Sequence, residues 1–282
     1  MQNLKNKMNY FKKILSSITN KIILINVIVF ILVWILILIF GQQKIIELIA
    51  LNPSNILQGR NLWTLFTSVF VHFAFWHLFA NMFSFYFVGN FVEKLIGKKR
   101  VLIFYLTSGF FASLFWSLLS GFFGTSIIGS KLFGNPLIYG IGASGAVFGF
   151  IGILALLTPY SKVYLISGPL LAIIFQALIY AIFPSSQIIG ILDFVISAYI
   201  LFSIFSMISF NPSMRKLALP LELPMWVLPI IAIIPLTIIG LFINLPIGNM
   251  AHLGGLILGL SYAIYLKNKY PKKTKIISRR FS

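Results

Sequence analysis

Gly140-Ile141-Gly142-Ala143-Ser144-Gly145-Ala146-Val147-Phe148-Gly149 is a glycine-spaced approach to a serine, followed at once by an apolar helix. A serine there lies at a helix N-terminus, where backbone N–H groups lack helical partners and the dipole favours negative charge. Such surroundings suit a nucleophile whose reaction generates an oxyanion. The same residues also serve a plainer purpose, because glycine and serine let membrane helices approach closely. Helix length bears on the choice. The segment from Ser144 to Thr158 stops at Pro159 and spans roughly 22 Å at the helical rise, about 8 Å less than a hydrocarbon core. If its inner end reaches the interface near Lys162, Ser144 stops several ångströms below the outer surface. Irregular backbone at that depth must be buried in protein or face a water-filled cavity. The short helix therefore predicts a polar cavity opening outward.

The rest of the chain is membrane-like. Of 282 residues, 59% are hydrophobic and 9% charged, and apolar runs long enough to cross a bilayer recur. The expected fold is all-α, a polytopic transmembrane helical bundle. The net charge of +18 invites a nucleic-acid reading, but the distribution argues for topology instead. With eight spans and a cytoplasmic N-terminus, all of the 22 cations except Lys44, Arg60 and Lys131 fall on the inner side, as the positive-inside rule requires. This predicts a multi-pass protein of the cell membrane with both termini cytoplasmic and no nucleic-acid partner. The absence of cysteine excludes disulfides, thiolate catalysis and Cys-ligated metals.

In chain order, residues 1–20 are basic with Leu4, Met8, Phe11, Leu15 and Ile18 at helical spacing, an amphipathic cytoplasmic segment on the membrane surface. The apolar run from Ile22 to Phe40 is too long for a cleavable signal and forms the first span. Residues 41–71 are too apolar for a solvated loop and belong to the outer interface. Spans follow at about His72–Leu95 and Val101–Phe123, then a glycine-rich external loop into Ser144. Later apolar segments lie at about 164–183, 187–209, 225–244 and 250–266. A transmembrane domain thus covers 21–267, and 268–282 form a basic cytoplasmic tail that contacts anionic lipid headgroups or is disordered.

The three histidines are His72, His77 and His252. His77 and Asn81, four apart, share a helix face. His252 begins the last span, so topology puts Ser144, His77, Asn81 and His252 at one depth. Polar residues inside a membrane mark function by default, or serve as clips between helices. The four acidic residues, Glu47, Glu93, Asp193 and Glu222, supply no facing carboxylate pair for an aspartyl protease. A zinc-binding H-E-x-x-H is absent, and His72 and His77 are five apart, a poor metal pair. No nucleotide-binding loop is present. No metal or cofactor is expected, and carboxylates are scarce for a proton-coupled transporter.

These residues resemble the rhomboid family of intramembrane serine proteases. The likeness rests on Gly142-Ala143-Ser144-Gly145, on His72-x4-His77-x3-Asn81 and on Ala251-His252-x2-Gly255-x3-Gly259, in that order, with Trp63 ahead and Glu93, Gly97 and Arg100 at the inner end of the second span. It covers about residues 55–165 and 218–267. The resemblance implies Ser144 as nucleophile and His252 as general base, then acid. It implies Phe148 stacked on the His252 ring, and an oxyanion hole from His77, Asn81 and the Ser144 backbone N–H. His72 would tie the first external loop to the second span. The substrate would be a transmembrane helix of another membrane protein, locally unwound near its outer end. Two departures stand out. Trp63 is followed by Thr64 where the family usually has arginine. Three crossings, rather than one, separate the serine and histidine helices, so about 166–217 reads as a two-helix insertion in a six-helix core. The family's gating helix would correspond to 225–244. Asp193 falls in the insertion and reads as a structural hydrogen-bonding group. Other readings are an inactive rhomboid-like protein that binds transmembrane helices, and a channel or transporter.

Overall fold

The computed structural model describes residues 16–183, 188–208, 212–242 and 248–281. The chain forms two compact units, Met1–Pro159 with Gly248–Ser282, and Tyr160–Ile247. The basic N-terminal segment expected over 1–20 lies, up to residue 15, outside the described residues.

The first unit carries α1 (Ile18–Phe40), α2 (Gln42–Ile49), α3 (Pro53–Leu57), α4 (Thr64–Thr67), a 3-10 turn (Ser68–Phe70), α5 (Phe75–Ile96), α6 (Lys98–Phe123), α7 (Ile127–Phe133) and α8 (Ser144–Leu157). After the second unit come α13 (Asn249–Lys269) and α14 (Pro271–Arg280). Among the described residues, α1, α6 and α13 are long and apolar enough to cross a membrane. Thr64–Phe70 and Phe75–Ile96 are together apolar and long enough for a further span, with an 89° bend at the break between them. The chain is a multi-pass helical membrane protein.

α8 is apolar on every side and buried on almost every side, from Gly145 to Leu157. It is the central post, and its packing on α13 is the most extensive in the unit. Phe150 on α8 meets Phe85 of α5 and Phe104 of α6 edge-on, with centroids 5.1 and 5.2 Å apart. Phe85 also packs on Tyr105 at 5.0 Å. The Tyr105 hydroxyl in turn accepts from Asn26 Nδ2 of α1 at 3.2 Å. By contrast α1 turns Leu24, Ile28, Ile31, Leu38 and Ile39 outward, as suits a span whose surface meets hydrocarbon.

The start of α1 is secured by one carboxylate. Glu93, near the end of α5, accepts from Ser17 Oγ (2.8 Å), the amides of Ile18 (3.2 Å) and Thr19 (2.9 Å), and Thr19 Oγ1 (2.8 Å). These amides are the unpaired donors of a helix N-terminus, where an anion is favoured.

The second long helix departs from expectation at its start. It begins at Phe75, and His72 precedes it in the non-helical connection between Val71 and Ala74. His72 is fully buried and its Nε2 accepts the Ala143 amide, which ties this connection to the serine loop. The expected basic tail is also more ordered than a free tail. It forms α14, with Thr274 buried and Phe281 packed edge-on against Phe91 of α5 at 4.9 Å.

The second unit holds β1 (Lys162–Ile166), α9 (Ser167–Ile182), α10 (Ile188–Ile208), α11 (Pro212–Lys216), β2 (Pro220–Pro224) and α12 (Leu228–Phe242). β1 and β2 pair antiparallel, with Lys162 opposite Pro224 and Ile166 opposite Pro220. Among the described residues this ribbon is the one β-sheet added to the expected all-α fold, and it takes the first residues of the apolar segment read as 164–183. Lys162 Nζ and Glu222 form an exposed ion pair at 2.6 Å, and Tyr164 Oη donates to the same carboxylate at 2.9 Å. Asp193 lies on α10, with its side chain outside the described residues.

Candidate active site

Two loops converge below Ser144. Leu51 and Gly140 exchange a pair of backbone hydrogen bonds (2.9 and 2.7 Å), and the Ser54 amide donates to the Pro136 carbonyl at 3.0 Å. Asn52 Nδ2 donates to the Leu137 carbonyl at 3.0 Å. The Gly142 amide donates to the Ser68 carbonyl at 2.8 Å. The first loop is thereby stitched to the segment that delivers the serine.

The first loop is itself pinned to α2. Trp63 is half exposed, but its indole N–H donates to the Leu48 carbonyl at 2.8 Å. Thr67 Oγ1 donates to the Ile49 carbonyl at 3.0 Å. Thr64, at the position where arginine was expected, is fully buried and donates to the Asn61 carbonyl at 2.7 Å. A guanidinium has no room in that place, and short polar bonds do the anchoring.

Gly142 is the turning point. Its φ of +113° lies where side chains are rarely accommodated. An added Cβ would also stand 2.6 Å from His77 Cε1 and 2.7 Å from His77 Nε2. The glycine thus lets the His77 imidazole lie directly against the backbone entering Ser144. The His72 and His77 rings meet edge-on at 5.0 Å. Because His72 Nε2 accepts the Ala143 amide at 3.4 Å, the neutral ring carries its hydrogen on Nδ1. Helical bonding in α8 begins with the Val147 amide donating to the Ala143 carbonyl. The first-turn amides at Ser144, Gly145 and Ala146 therefore precede the helical ladder.

Ser144 Oγ and His252 Nε2 are hydrogen-bonded at 2.8 Å. His252 sits in the first turn of α13 and Ser144 opens α8. Phe148, one turn after Ser144, stacks on the His252 ring with centroids 4.3 Å apart and planes inclined by 9°. This sandwich fixes the ring plane while Nε2 points at the hydroxyl.

The helix pair is close enough for that bond because both helices lack side chains at the contact. A Cβ on Gly255 would strike the Gly145 carbonyl, and one on Gly259 would strike the Gly149 carbonyl. On the other face of Gly145, an added Cβ would lie 2.6 Å from Ala112 Cβ of α6. The small residues read in the sequence as helix spacers thus set the separation of the helices that carry Ser144 and His252.

Asn81 is buried on α5, and its Nδ2 donates to the His77 carbonyl at 2.8 Å. One amide hydrogen is spent on its own helix, which leaves one. The structure thus brings Ser144, His252 and Phe148 into direct contact, and His77 against Gly142. His72 and Trp63 act in the loops that carry the site.

One neighbour escaped the reading of the sequence. Asn249 Oδ1 and His252 Nδ1 are both buried without a hydrogen-bond partner among the described residues. They are three residues apart on α13 and so share a face. An asparagine one turn before a histidine was the available signal. No group of three or more metal-ligating side chains is gathered among the described residues.

Comparison with known proteins adds a second line. Residues 59–192 match the Rhomboid domain family. RHOMBOID-like protein 1 of Arabidopsis thaliana is 34% identical over 103 residues, 36% of this chain and 23% of that protein. Rhomboid protease GlpG of Salmonella choleraesuis is 26% identical over 139 residues, 49% of this chain and 45% of that protein. Inactive RHOMBOID-like protein 8 of Arabidopsis thaliana is 29% identical over 146 residues, 52% of this chain and 36% of that protein. The chain spans less than half the length of each of these relatives.

Proposed function

From the premise that this chain belongs to the rhomboid family, we propose that it is an intramembrane serine endopeptidase. The observation that carries the proposal is the 2.8 Å bond between Ser144 Oγ and His252 Nε2, with Phe148 stacked on the imidazole. A relative named inactive shows that family membership alone does not decide activity. The geometry around Ser144 is what favours the enzyme.

In this mechanism Nε2 of neutral His252 takes the Ser144 hydroxyl proton as Oγ attacks a peptide carbonyl carbon. The carbonyl oxygen becomes an oxyanion, and the Ser144 amide, His77 and the remaining amide hydrogen of Asn81 stabilise it. The imidazolium returns its proton to the amide nitrogen as the C–N bond breaks, leaving an acyl-enzyme. Water, deprotonated by the same imidazole, attacks the ester carbonyl; the C–Oγ bond then breaks as the imidazolium returns that proton to Ser144 Oγ, releasing the acid and restoring the dyad. Asn249 Oδ1 and His252 Nδ1 are not bonded to each other in the resting site; a small turn of the Asn249 side chain would let Oδ1 accept the Nδ1 hydrogen of the imidazolium, which would make Asn249 a positioning residue. No step calls for a metal or cofactor.

The substrate is the backbone of a transmembrane helix of another membrane protein. Such a helix satisfies its amides internally and must unwind near the outer end to reach Ser144. The bias of Lys and Arg along the chain supports cytoplasmic termini and a cell-membrane location. The span count of eight, with a two-helix insertion over 166–217 in a domain of 21–267, belongs to the same proposal. The test is cleavage of a single-pass membrane protein co-reconstituted in liposomes, with products sized by mass spectrometry. Wild type should cut within or near the outer end of the helix, and Ser144→Ala and His252→Ala should not. Intact substrate with folded wild-type protein, across several substrates bearing helix-weakening residues, would leave the helix-binding reading in its place.

A further inference from the structure

About 26 Å along α13 from His252, the unit ends in a cluster of cations that the proposed chemistry does not use. Arg100, in the first turn of α6, lies over the Tyr270 ring at 5.2 Å, and its Nη2 donates to the Tyr270 hydroxyl at 3.0 Å. Lys269 lies over the same ring at 5.8 Å and over Tyr265 at 5.3 Å, and it donates to the Tyr265 hydroxyl at 2.7 Å. Two like charges thus share one aromatic platform. Lys98 precedes Arg100 in the same turn, and Lys272 lies in the first turn of α14, two residues after Tyr270. All four cations are exposed.

No carboxylate in this unit balances them. Its acidic residues are Glu47 and Glu93. Glu47 belongs to α2 and accepts from Gln43. Glu93 is taken by the start of α1. The ion pair present among the described residues, Lys162 with Glu222, belongs to the other unit.

Ring contacts hold the two cations in place while leaving most of their donors free. The Arg100 fork has five N–H donors and the Lys269 ammonium three, and one of each is committed to a tyrosine. A pre-positioned guanidinium beside an ammonium matches the oxygens of a phosphate group. Tyrosines at the end of a span sit at headgroup level.

We propose that Arg100 and Lys269, braced on Tyr270 and Tyr265, bind the phosphate of an anionic phospholipid headgroup, with Lys98 and Lys272 completing the field. This rests on the membrane architecture and not on the proposed protease activity. The site belongs to the ends of α6 and α13, so lipid bound there ties the serine-bearing bundle to its membrane level.

The test uses the full chain in phosphatidylcholine nanodiscs with increasing phosphatidylglycerol, and counts retained lipid by native mass spectrometry. Wild type should retain phosphatidylglycerol in preference to phosphatidylcholine. Lys269→Gln should weaken that preference about fivefold, and Arg100→Gln with Lys269→Gln about thirtyfold, as expected for cations acting near a charged surface. Arg100→Lys should recover part of the loss, and Lys44→Gln should change nothing. Tryptophan fluorescence on heating establishes that each variant is folded. If the double variant unfolds, the single Lys269→Gln variant decides. Equal retention by wild type and folded variants would overturn the site. Full displacement of the lipid by millimolar inorganic phosphate would overturn the lipid as its ligand.

Discussion

Replacing Gly255 with alanine tests how the fold sets the chemistry. A Cβ there would overlap the Gly145 carbonyl oxygen and stand 2.8 Å from its carbon and 3.3 Å from the Gly149 nitrogen. Comfortable carbon–carbon separation is about 3.5–4.0 Å, and the carbonyl oxygen is nearer still, so α8 and α13 must part by at least about 1 Å. Gly145 adjoins Ser144, and Gly255 lies one turn from His252, so the displacement reaches the site nearly undiminished. The Oγ···Nε2 distance, now 2.8 Å, would grow to about 3.8 Å, past hydrogen-bonding range. A displacement of that size costs about 10²-fold in rate, whereas overpacking destabilises by about 1–3 kcal/mol, too little to unfold a typical domain. The assay is kcat/KM on a fluorogenic transmembrane peptide, alongside thermal unfolding followed by tryptophan fluorescence. Gly190→Ala is the control, since its added Cβ meets nothing within 4 Å. A folded Gly255→Ala protein with wild-type kcat/KM would refute the reasoning that these glycines set the Ser144–His252 geometry.

Other substitutions probe separate parts. His77→Ala removes the proposed oxyanion donor and should lower kcat about 10²–10³-fold with KM little changed, as steady-state kinetics would show; an unchanged kcat assigns His77 to packing alone. Glu93→Gln weakens the charge-assisted bonds at the start of α1 and should cost about 1.5–3 kcal/mol, read as a lower melting temperature without loss of Ser144 reactivity. Asn249→Leu should lower kcat roughly tenfold or more at constant KM, with Asn249→Gln recovering part of it; a uniform loss in KM would point to a structural role.

Much of the site was legible because it depends on local rules. Gly142 before Ser144, the stop at Pro159, and Gly255 and Gly259 at helical spacing each have a steric reading that needs no neighbour. The ordering of His72, His77, Ser144 and His252 carried the family resemblance. What escaped depends on partners far along the chain. His72 reads as the start of a helix by its apolar flank, but the helix starts at Phe75 and the His72 ring is engaged by the Ala143 amide, 71 residues away. The β1–β2 ribbon joins short, weakly patterned segments across the apolar stretch between them. The C-terminal segment reads as a charged tail, and its order comes from Phe281 meeting Phe91 and from buried Thr274. Spacing alone places Asn249 on the His252 face of α13, but the burial of its Oδ1 comes from packing that the sequence does not display.

The central claim is that His252 activates Ser144, and the most direct measurement is covalent labelling. Purified protein in detergent is exposed to a fluorophosphonate, and the modified residue is located by mass spectrometry. The account predicts a single adduct on Ser144 in wild type, none in Ser144→Ala, and labelling lost in folded His252→Ala. Wild-type protein that does not label, or Ser144 labelling that persists at full rate without His252, would contradict it.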